Sequence, residues 1–257
     1  PDDEVRAYVQ RALGYTLLGQ ADERAMFLLH GKSGTGKSQL VTLMGELFGT
    51  YAVTAPASTF RLKRNETSLD LHRLRGKRFV ATSEMPEGAQ LDDELIKRIT
   101  GGDPVSSRGH YEEFQTWKPR CAIWIATNFL PRVSSDDNAI WRRAKTINMT
   151  TEFGPGGRPQ ILAYWRQLYN EADGILNWLL EGLAAYREMG LAEPAAILSD
   201  IDNYRTDVDS AASFIRDQLE DGTLQHNPVA RTRLSLVFGM YEAYCNQQHI
   251  KALGMRR

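Results

Sequence analysis

The 257-residue chain carries 31 Lys and Arg against 32 Asp and Glu, a formal net charge of −1, with 42% hydrophobic and 25% charged residues. That balance belongs to a globular chain with a real core, long enough for one large domain or one domain with a helical appendage. It excludes a wholly basic nucleic-acid coat, so any nucleic-acid contact must be local, and no apolar run approaches the length of a membrane span.

Cys121 and Cys245 stand far apart without metal or redox spacing, which points to a reducing compartment and to buried or incidental thiols. The opening Pro1-Asp2-Asp3-Glu4 is not a signal peptide and has no initiator methionine, the pattern expected of a fragment of a longer polypeptide.

Over residues 2–18, Val5, Val9, Ala12, Leu13 and Leu17 recur at helical spacing behind an acidic first turn, and residues 19–22 close that helix. The apolar run 26–30 predicts a strand. It meets Gly31-Lys32-Ser33-Gly34-Thr35-Gly36-Lys37-Ser38, after which Leu40, Val41, Leu43, Met44 and Leu47 predict a helix to residue 48. Strand, loop and helix together fit G-x-x-x-x-G-K-[ST] in the context that motif needs. The glycines let successive backbone N–H groups turn towards a phosphate, at a helix N-terminus whose dipole also favours an anion. Lys37 would reach the β- and γ-phosphates and the Ser38 hydroxyl would ligate Mg²⁺, so a nucleoside triphosphate is expected here.

Residues 51–54 read as a short strand, 61–65 as a basic loop and 68–75 as a short helix. The run 78–84 is a second apolar strand ending in an acid, Glu84. At the carboxyl end of its strand, beside the phosphate loop, Glu84 could hold Mg²⁺ through water or orient an attacking water. Residues 91–100 form a helix with Lys97 and Arg98 on its polar side, stopped by Gly101-Gly102-Asp103-Pro104. The runs 105–108 and 114–117 read as a hairpin around Gly109-His110-Tyr111-Glu112. A nearly all-apolar strand, 121–127, ends at Asn128, which could position water, sense the γ-phosphate or simply form a turn.

Residues 136–143 look like a capped short helix ending in Trp141-Arg142-Arg143, and 144–149 like another strand. The Gly/Pro-rich stretch 154–159 is read as the domain boundary. Helices are predicted beyond it at 161–169, 174–189, 209–219 and 234–247. The fold class is α/β with a helical C-terminal part, divided into an N-terminal helical segment 1–24, a P-loop core 25–153 and a helical region 154–257.

Lysines and arginines crowd the P-loop half, among them Arg61, Lys63, Arg64, Arg75, Lys77, Arg78, Lys97, Arg98 and Arg108. A sequence-independent strand contact would use such residues on backbone phosphates, with an aromatic such as Tyr111 stacking on bases. Interleaved acids, Asp92, Asp93, Glu112 and Glu113, weigh the other way.

The order of Gly31 to Ser38, Thr82-Ser83-Glu84, Lys97-Arg98-Ile99-Thr100-Gly101-Gly102-Asp103, Ala126-Thr127-Asn128-Phe129-Leu130-Pro131 and Trp141-Arg142-Arg143 resembles the superfamily 3 helicases of the phage/plasmid primase–helicase type. The resemblance is densest over residues 31–143. It implies an AAA+-like P-loop ATPase with a central, mostly parallel sheet, assembled as a homo-hexameric ring on single-stranded DNA. It implies ATP and Mg²⁺ as cofactors, a bacterial or phage-infected host cytoplasm and a primase domain on the same full-length polypeptide. The start of a winged helix is expected near residues 234–245.

Residue by residue, the resemblance implies that Gly31, Lys32, Ser33, Gly34, Thr35, Gly36, Lys37 and Ser38 bind nucleotide and that Ser38 and Glu84 hold the metal. Asn128 would be the sensor, and Arg142 or Arg143 the arginine finger reaching a neighbouring subunit. The hairpin would line the ring channel, with Lys97, Arg98, Arg108, His110 and Tyr111 on DNA. Three departures stand out: Thr35 where many relatives carry asparagine, Ser83 rather than an acid before Glu84 (with Glu87 a weaker candidate on the metal side), and no lysine at the hairpin tip. The expected activity is ATP-dependent DNA unwinding. The alternatives are an ATP-gated DNA-binding or origin-remodelling ring without processive unwinding, and a P-loop kinase or GTPase, which lacks support from any guanine-specificity motif.

Overall fold

The computed structural model describes residues 2–62, 68–133, 138–154, 157, 164–225, 227 and 231–247. Two compact units divide the chain, 1–201 and 202–257.

In the first unit, helix α1 (Asp3–Leu18) starts because the Asp2 carboxylate accepts from the Glu4 N–H at 2.9 Å. It stops at Gly19, whose φ of 61° admits the left-handed turn. The sheet that follows is wholly parallel, with strands β1 (Met26–His30), β2 (Ala52–Thr54), β3 (Phe79–Ser83), β6 (Ala122–Ala126) and β7 (Ala144–Asn148) in the order β2-β3-β6-β1-β7. β4 (Val105–Ser107) and β5 (Gln115–Trp117) form a separate antiparallel hairpin, with Val105 opposite Trp117. α2 (Lys37–Phe48) links β1 to β2 at the far edge of the sheet, α3 (Ser68–His72) precedes β3, and α4 (Asp93–Gly101) leads into the hairpin. α5 (Asn138–Arg143) runs directly into β7.

Central strands covered on both faces read as near-continuous apolar runs. One face presents Phe27, Phe79 and Trp124 as a stacked row, with centroids 4.3 Å apart for Phe27–Trp124 and 6.1 Å for Phe79–Trp124. α1 lies on it, its Thr16 hydroxyl accepting from the Trp124 indole at 3.2 Å. Met26, Leu28, Val80, Ile123 and Ile125, which point the other way by the two-residue period, are equally buried.

The expected boundary at 154–159 falls inside the first unit, because α7 (Ala172–Met189) packs along α1. A Cβ built on Gly14 would lie 2.3 Å from the Leu183 nitrogen, and one on Gly182 would lie 2.2 Å from the Gln10 carbonyl oxygen. Backbone meets backbone there, which only glycine permits. Arg11 donates to the Leu191 and Ala192 carbonyls at 2.9 and 3.0 Å, and Tyr186 to Glu23 at 2.7 Å. The 1–24 segment is therefore not a separate appendage. α6 (Tyr164–Asn170) precedes α7, and α8 (Ala195–Val208), absent from the sequence expectation, follows it.

The second unit holds α9 (Ser210–Glu220), capped by Asp209, and α10 (Leu234–Gln247) around Phe214, Tyr241 and Cys245. Burial, with Asp217 accepting its hydrogen bond, pushes the Tyr244 hydroxyl up to about 12. No strand occurs among the described residues of this unit, so nothing described there amounts to a wing. No described helix is long and apolar enough to cross a membrane.

Candidate nucleotide site and exposed hairpin

β1 delivers the glycine loop to the carboxyl edge of the sheet, and α2 begins inside it. Gly31, Gly34 and Gly36 have φ of 134°, 81° and 88°, the region that turns consecutive N–H groups to one side. Gly31 has a second reason to be glycine: a Cβ there would sit 2.4 Å from the Met149 carbonyl oxygen. The segment after β7 lies along the loop, with the Phe153 N–H donating to the Gly34 carbonyl at 2.9 Å and Glu152 paired to Lys32 at 2.9 Å.

Lys37 is 6% exposed, and its ammonium donates to the Gly31 and Lys32 carbonyls at 2.7 and 2.6 Å and to the Thr35 hydroxyl at 3.2 Å. All three partners are neutral oxygens, so a buried cation stands at a helix N-terminus with no carboxylate on it among the described residues. Burial lowers its pKa from the ordinary lysine value. A site of this composition attracts an anion. Thr35, the departure noted above, is buried and its hydroxyl donates back to the Lys32 carbonyl at 3.0 Å, tying the loop to itself. Ser38 is exposed in the first turn of α2.

Glu84 and Asn128 come to the same edge. The Glu84 N–H donates to the Ala126 carbonyl at 3.0 Å, and the Thr127 N–H to the Leu29 carbonyl at 2.9 Å, so the ends of β3, β6 and β1 are level. Glu84 does not sit immediately beside the loop, however. β6 intervenes, which places Glu84 two strand spacings, about 10 Å, from β1, and Asn128 one spacing, about 5 Å. Glu84 is also one of four non-glycine residues at positive φ, 61°, among those described. A bulky residue in that region carries a backbone cost that concentrates at functional positions. The Thr127 hydroxyl donates to the Phe129 carbonyl at 2.7 Å and accepts from the Phe129 N–H at 3.2 Å, fixing the turn that presents Asn128 to solvent. Glu87 is exposed in the turn after Glu84.

The two arginines of α5 differ. Arg143 donates to the Thr100 hydroxyl at 3.1 Å and to the Ala139 carbonyl at 2.8 Å, so it is anchored onto α4. Arg142 is exposed. The candidate DNA contacts divide as well. Tyr111 is fully exposed at the hairpin tip, and the Arg108 guanidinium lies 4.9 Å over the Phe114 ring. His110 lies beside Tyr111, with ring centroids 6.2 Å apart. Lys97, on α4 itself, is partly buried and pairs with Glu94 one turn earlier at 2.6 Å, and Arg98 is half-buried. Other members of the basic set serve the fold: Arg78 donates to the Leu17 carbonyl and Lys77 to the Thr50 carbonyl, each at 2.7 Å. Lys63 and Arg64 lie outside the described residues, as does the start of the 136–143 helix.

A contact the sequence did not suggest sits directly behind the loop. His30, the last residue of β1, bonds Asp200 of α8 at 2.6 Å, both side chains mostly buried. Burial raises the Asp200 pKa, but the hydrogen bond with His30 prevails and holds the carboxyl below its usual range. Ile197, Ile201 and Tyr204 at helical spacing after Pro194 were the available signal for α8.

Compared with known proteins, residues 29–143 match the model of a family of unknown function, DUF5906. "Putative helicase L207/L206" of Acanthamoeba polyphaga mimivirus is 27% identical over 238 residues, covering 85% of this chain and 25% of that protein. "Putative helicase V13" of Sputnik virophage is 24% identical over 199 residues, 71% of this chain and 26% of that one. The apo structure of the NrS-1 C-terminal region (305-718) superposes with a TM-score of 0.52 at 17% identity, covering 95% of this chain and 62% of that one. In sequence the chain is thus similar to proteins named as putative viral helicases. The chain spans about a quarter of the length of the two curated relatives named, and the likeness in structure concerns its α/β P-loop-like fold.

Proposed function

We propose that the chain is a superfamily 3 helicase-like domain that binds ATP with Mg²⁺ at residues 31–38 and couples hydrolysis to movement along single-stranded DNA, as one subunit of a ring. The observation that carries the reading is Lys37: a buried ammonium whose partners among the described residues are neutral oxygens, inside a loop of positive-φ glycines. The loop N–H groups and Lys37 would cradle the phosphates, and Ser38, with Glu84 across the sheet edge, would hold the metal. A bound Mg²⁺ would neutralise charge on the β- and γ-phosphate oxygens. Glu84 would take the proton of the attacking water or orient it, and Asn128, standing between Glu84 and the loop, would align that water against the terminal phosphate.

Arg142 is the residue free of the anchoring seen at Arg143, and would be the one inserted into a neighbouring subunit. A finger supplied in that way is worth about 10³–10⁵ in rate. Tyr111, His110 and Arg108 at the hairpin would meet the strand, stacking on bases and pairing with phosphates regardless of sequence. The helicase names of the viral relatives support this reading, and a primase domain on the same polypeptide, together with six subunits in the ring, completes it.

The test is DNA-stimulated ATP hydrolysis by the native protein against Glu84→Gln. The variant is expected to bind ATP as before and to hydrolyse it at least about a hundredfold more slowly, the loss typical of removing a positioned general base. Hydrolysis at the native rate would sink the assignment. Strand displacement on a forked substrate then tells unwinding from ATP-gated binding.

A further inference from the structure

We infer that Phe153 is the surface on which the base of the bound nucleotide stacks, so that the nucleoside lies over the β7 side of the loop. The inference rests on the nucleotide reading above and adds the direction of the ligand and the residue that recognises its base.

Direction comes from the sheet. Glu84 and Asn128, the groups suited to the reacting phosphate, end β3 and β6, both on the same side of β1. A phosphate chain held along the loop with its terminal phosphate towards them must leave on the opposite side, which is occupied by β7 and the segment that follows it. That segment is seated on the loop: the Met149 N–H donates to the His30 carbonyl at 2.8 Å, and the Phe153 N–H to the Gly34 carbonyl at 2.9 Å. Its backbone is thus fixed relative to the phosphate cradle.

The Phe153 ring lies at the start of α2, where a Cβ on Gly36 would be 4.0 Å from its Cε2. Yet the residue is 45% exposed, a large aromatic held beside the cradle by its backbone bond to Gly34. An aromatic side chain so placed offers a π-face to any base, and stacking of that kind is insensitive to base identity. Phe153 therefore adds affinity for the nucleoside and none for the phosphates. The binding so produced does not discriminate between bases.

The probes are ATP and inorganic tripolyphosphate, each with Mg²⁺, titrated calorimetrically into the native protein, Phe153→Ala and Phe153→Trp. Phe153→Ala is expected to weaken ATP about tenfold, ~1.4 kcal/mol, while leaving tripolyphosphate within about twofold; Phe153→Trp is expected to retain ATP. Unchanged ATP affinity in Phe153→Ala overturns the inference. A parallel loss of both probes also overturns it, because the residue would then be supporting the loop. Failure of the native protein to bind either probe is a different result, which removes the nucleotide reading itself.

Discussion

The same substitution, glycine to alanine inside a helix, should have opposite effects at positions 14 and 45. Alanine is favoured over glycine in a helix interior by about 1 kcal/mol. Gly45 of α2 has no heavy atom within 4 Å of its would-be Cβ, so Gly45→Ala should realise that gain. At Gly14 the new Cβ would fall 2.3 Å from the Leu183 nitrogen, 2.6 Å from the Gly182 carbonyl carbon and 2.8 Å from the Leu179 carbonyl oxygen. These are backbone atoms of α7 and cannot rotate away. Reaching an ordinary 3.4 Å contact needs α1 and α7 to part by about 1.1 Å at the crossing, and a gap near that size forfeits a quarter to a half of the dispersion energy of the facing atoms.

Tyr8, Leu13 and Leu179 are fully buried beside the crossing and would share the loss. Overpacking costs about 1–3 kcal/mol, and a backbone clash belongs at the upper end. After the propensity gain, Gly14→Ala should be destabilised by about 2 kcal/mol, a fall in Tm of about 4–8 °C for a unit of this size. Gly45→Ala should rise by about 2–4 °C. Thermal unfolding followed by circular dichroism, with calorimetry for the enthalpy, measures both. A Tm for Gly14→Ala equal to or above the native value would refute the close approach of the two helices.

The arginines of α5 should separate in function and stability. Arg142→Ala should lower DNA-stimulated ATP hydrolysis by about a thousandfold or more without changing Tm. Arg143→Ala should cost about 1–2 kcal/mol in stability by removing its bonds to Thr100 and Ala139, and equal effects of the two on hydrolysis would contradict the division. Asp200→Asn tests the tie behind the loop in urea titrations across pH. Because the folded carboxyl is held below its usual range, its ionised form adds stability above the unfolded value of about 3.9, and that stability disappears as pH falls through the lower folded value. The native protein should therefore exceed the variant by about 1–2 kcal/mol at neutral pH, with the gap closing in acid; a gap independent of pH down to 3 would rule out the stabilised Asp200 carboxylate.

Much of the fold was legible because it is written in local pattern. The run MFLLH before the glycines is β1 residue for residue, the hairpin strands fall where turn chemistry put them, and the helix over 234–247 coincides with α10. What escaped depends on partners remote in sequence. Gly14 and Gly182 look unexceptional until the helices carrying them touch. The Gly/Pro stretch at 154–159 resembles a linker locally, yet the chain returns beyond it to cover α1. Parallel pairing is likewise invisible to periodicity, and so the sequence set Glu84 next to the loop although β6 runs between them. At the site, the glycine loop between β1 and α2 was readable from spacing alone, whereas the anchoring of Arg143 on Thr100 and the His30–Asp200 contact required the tertiary structure.

The hairpin has two roots, and they are stiff in different ways. One is α4, which Arg143 clasps at the buried Thr100. The other is β6, reached through only residues 118–121 and flanked by β3 and β1. A pull on the tip that reaches β6 along its length loads those two ladders in shear, where the hydrogen bonds resist together instead of opening one after another. Asn128 rides at the far end of the same strand. The hairpin is thus joined by a four-residue connection to the strand whose other end leads to Asn128 and the carboxyl edge of the sheet.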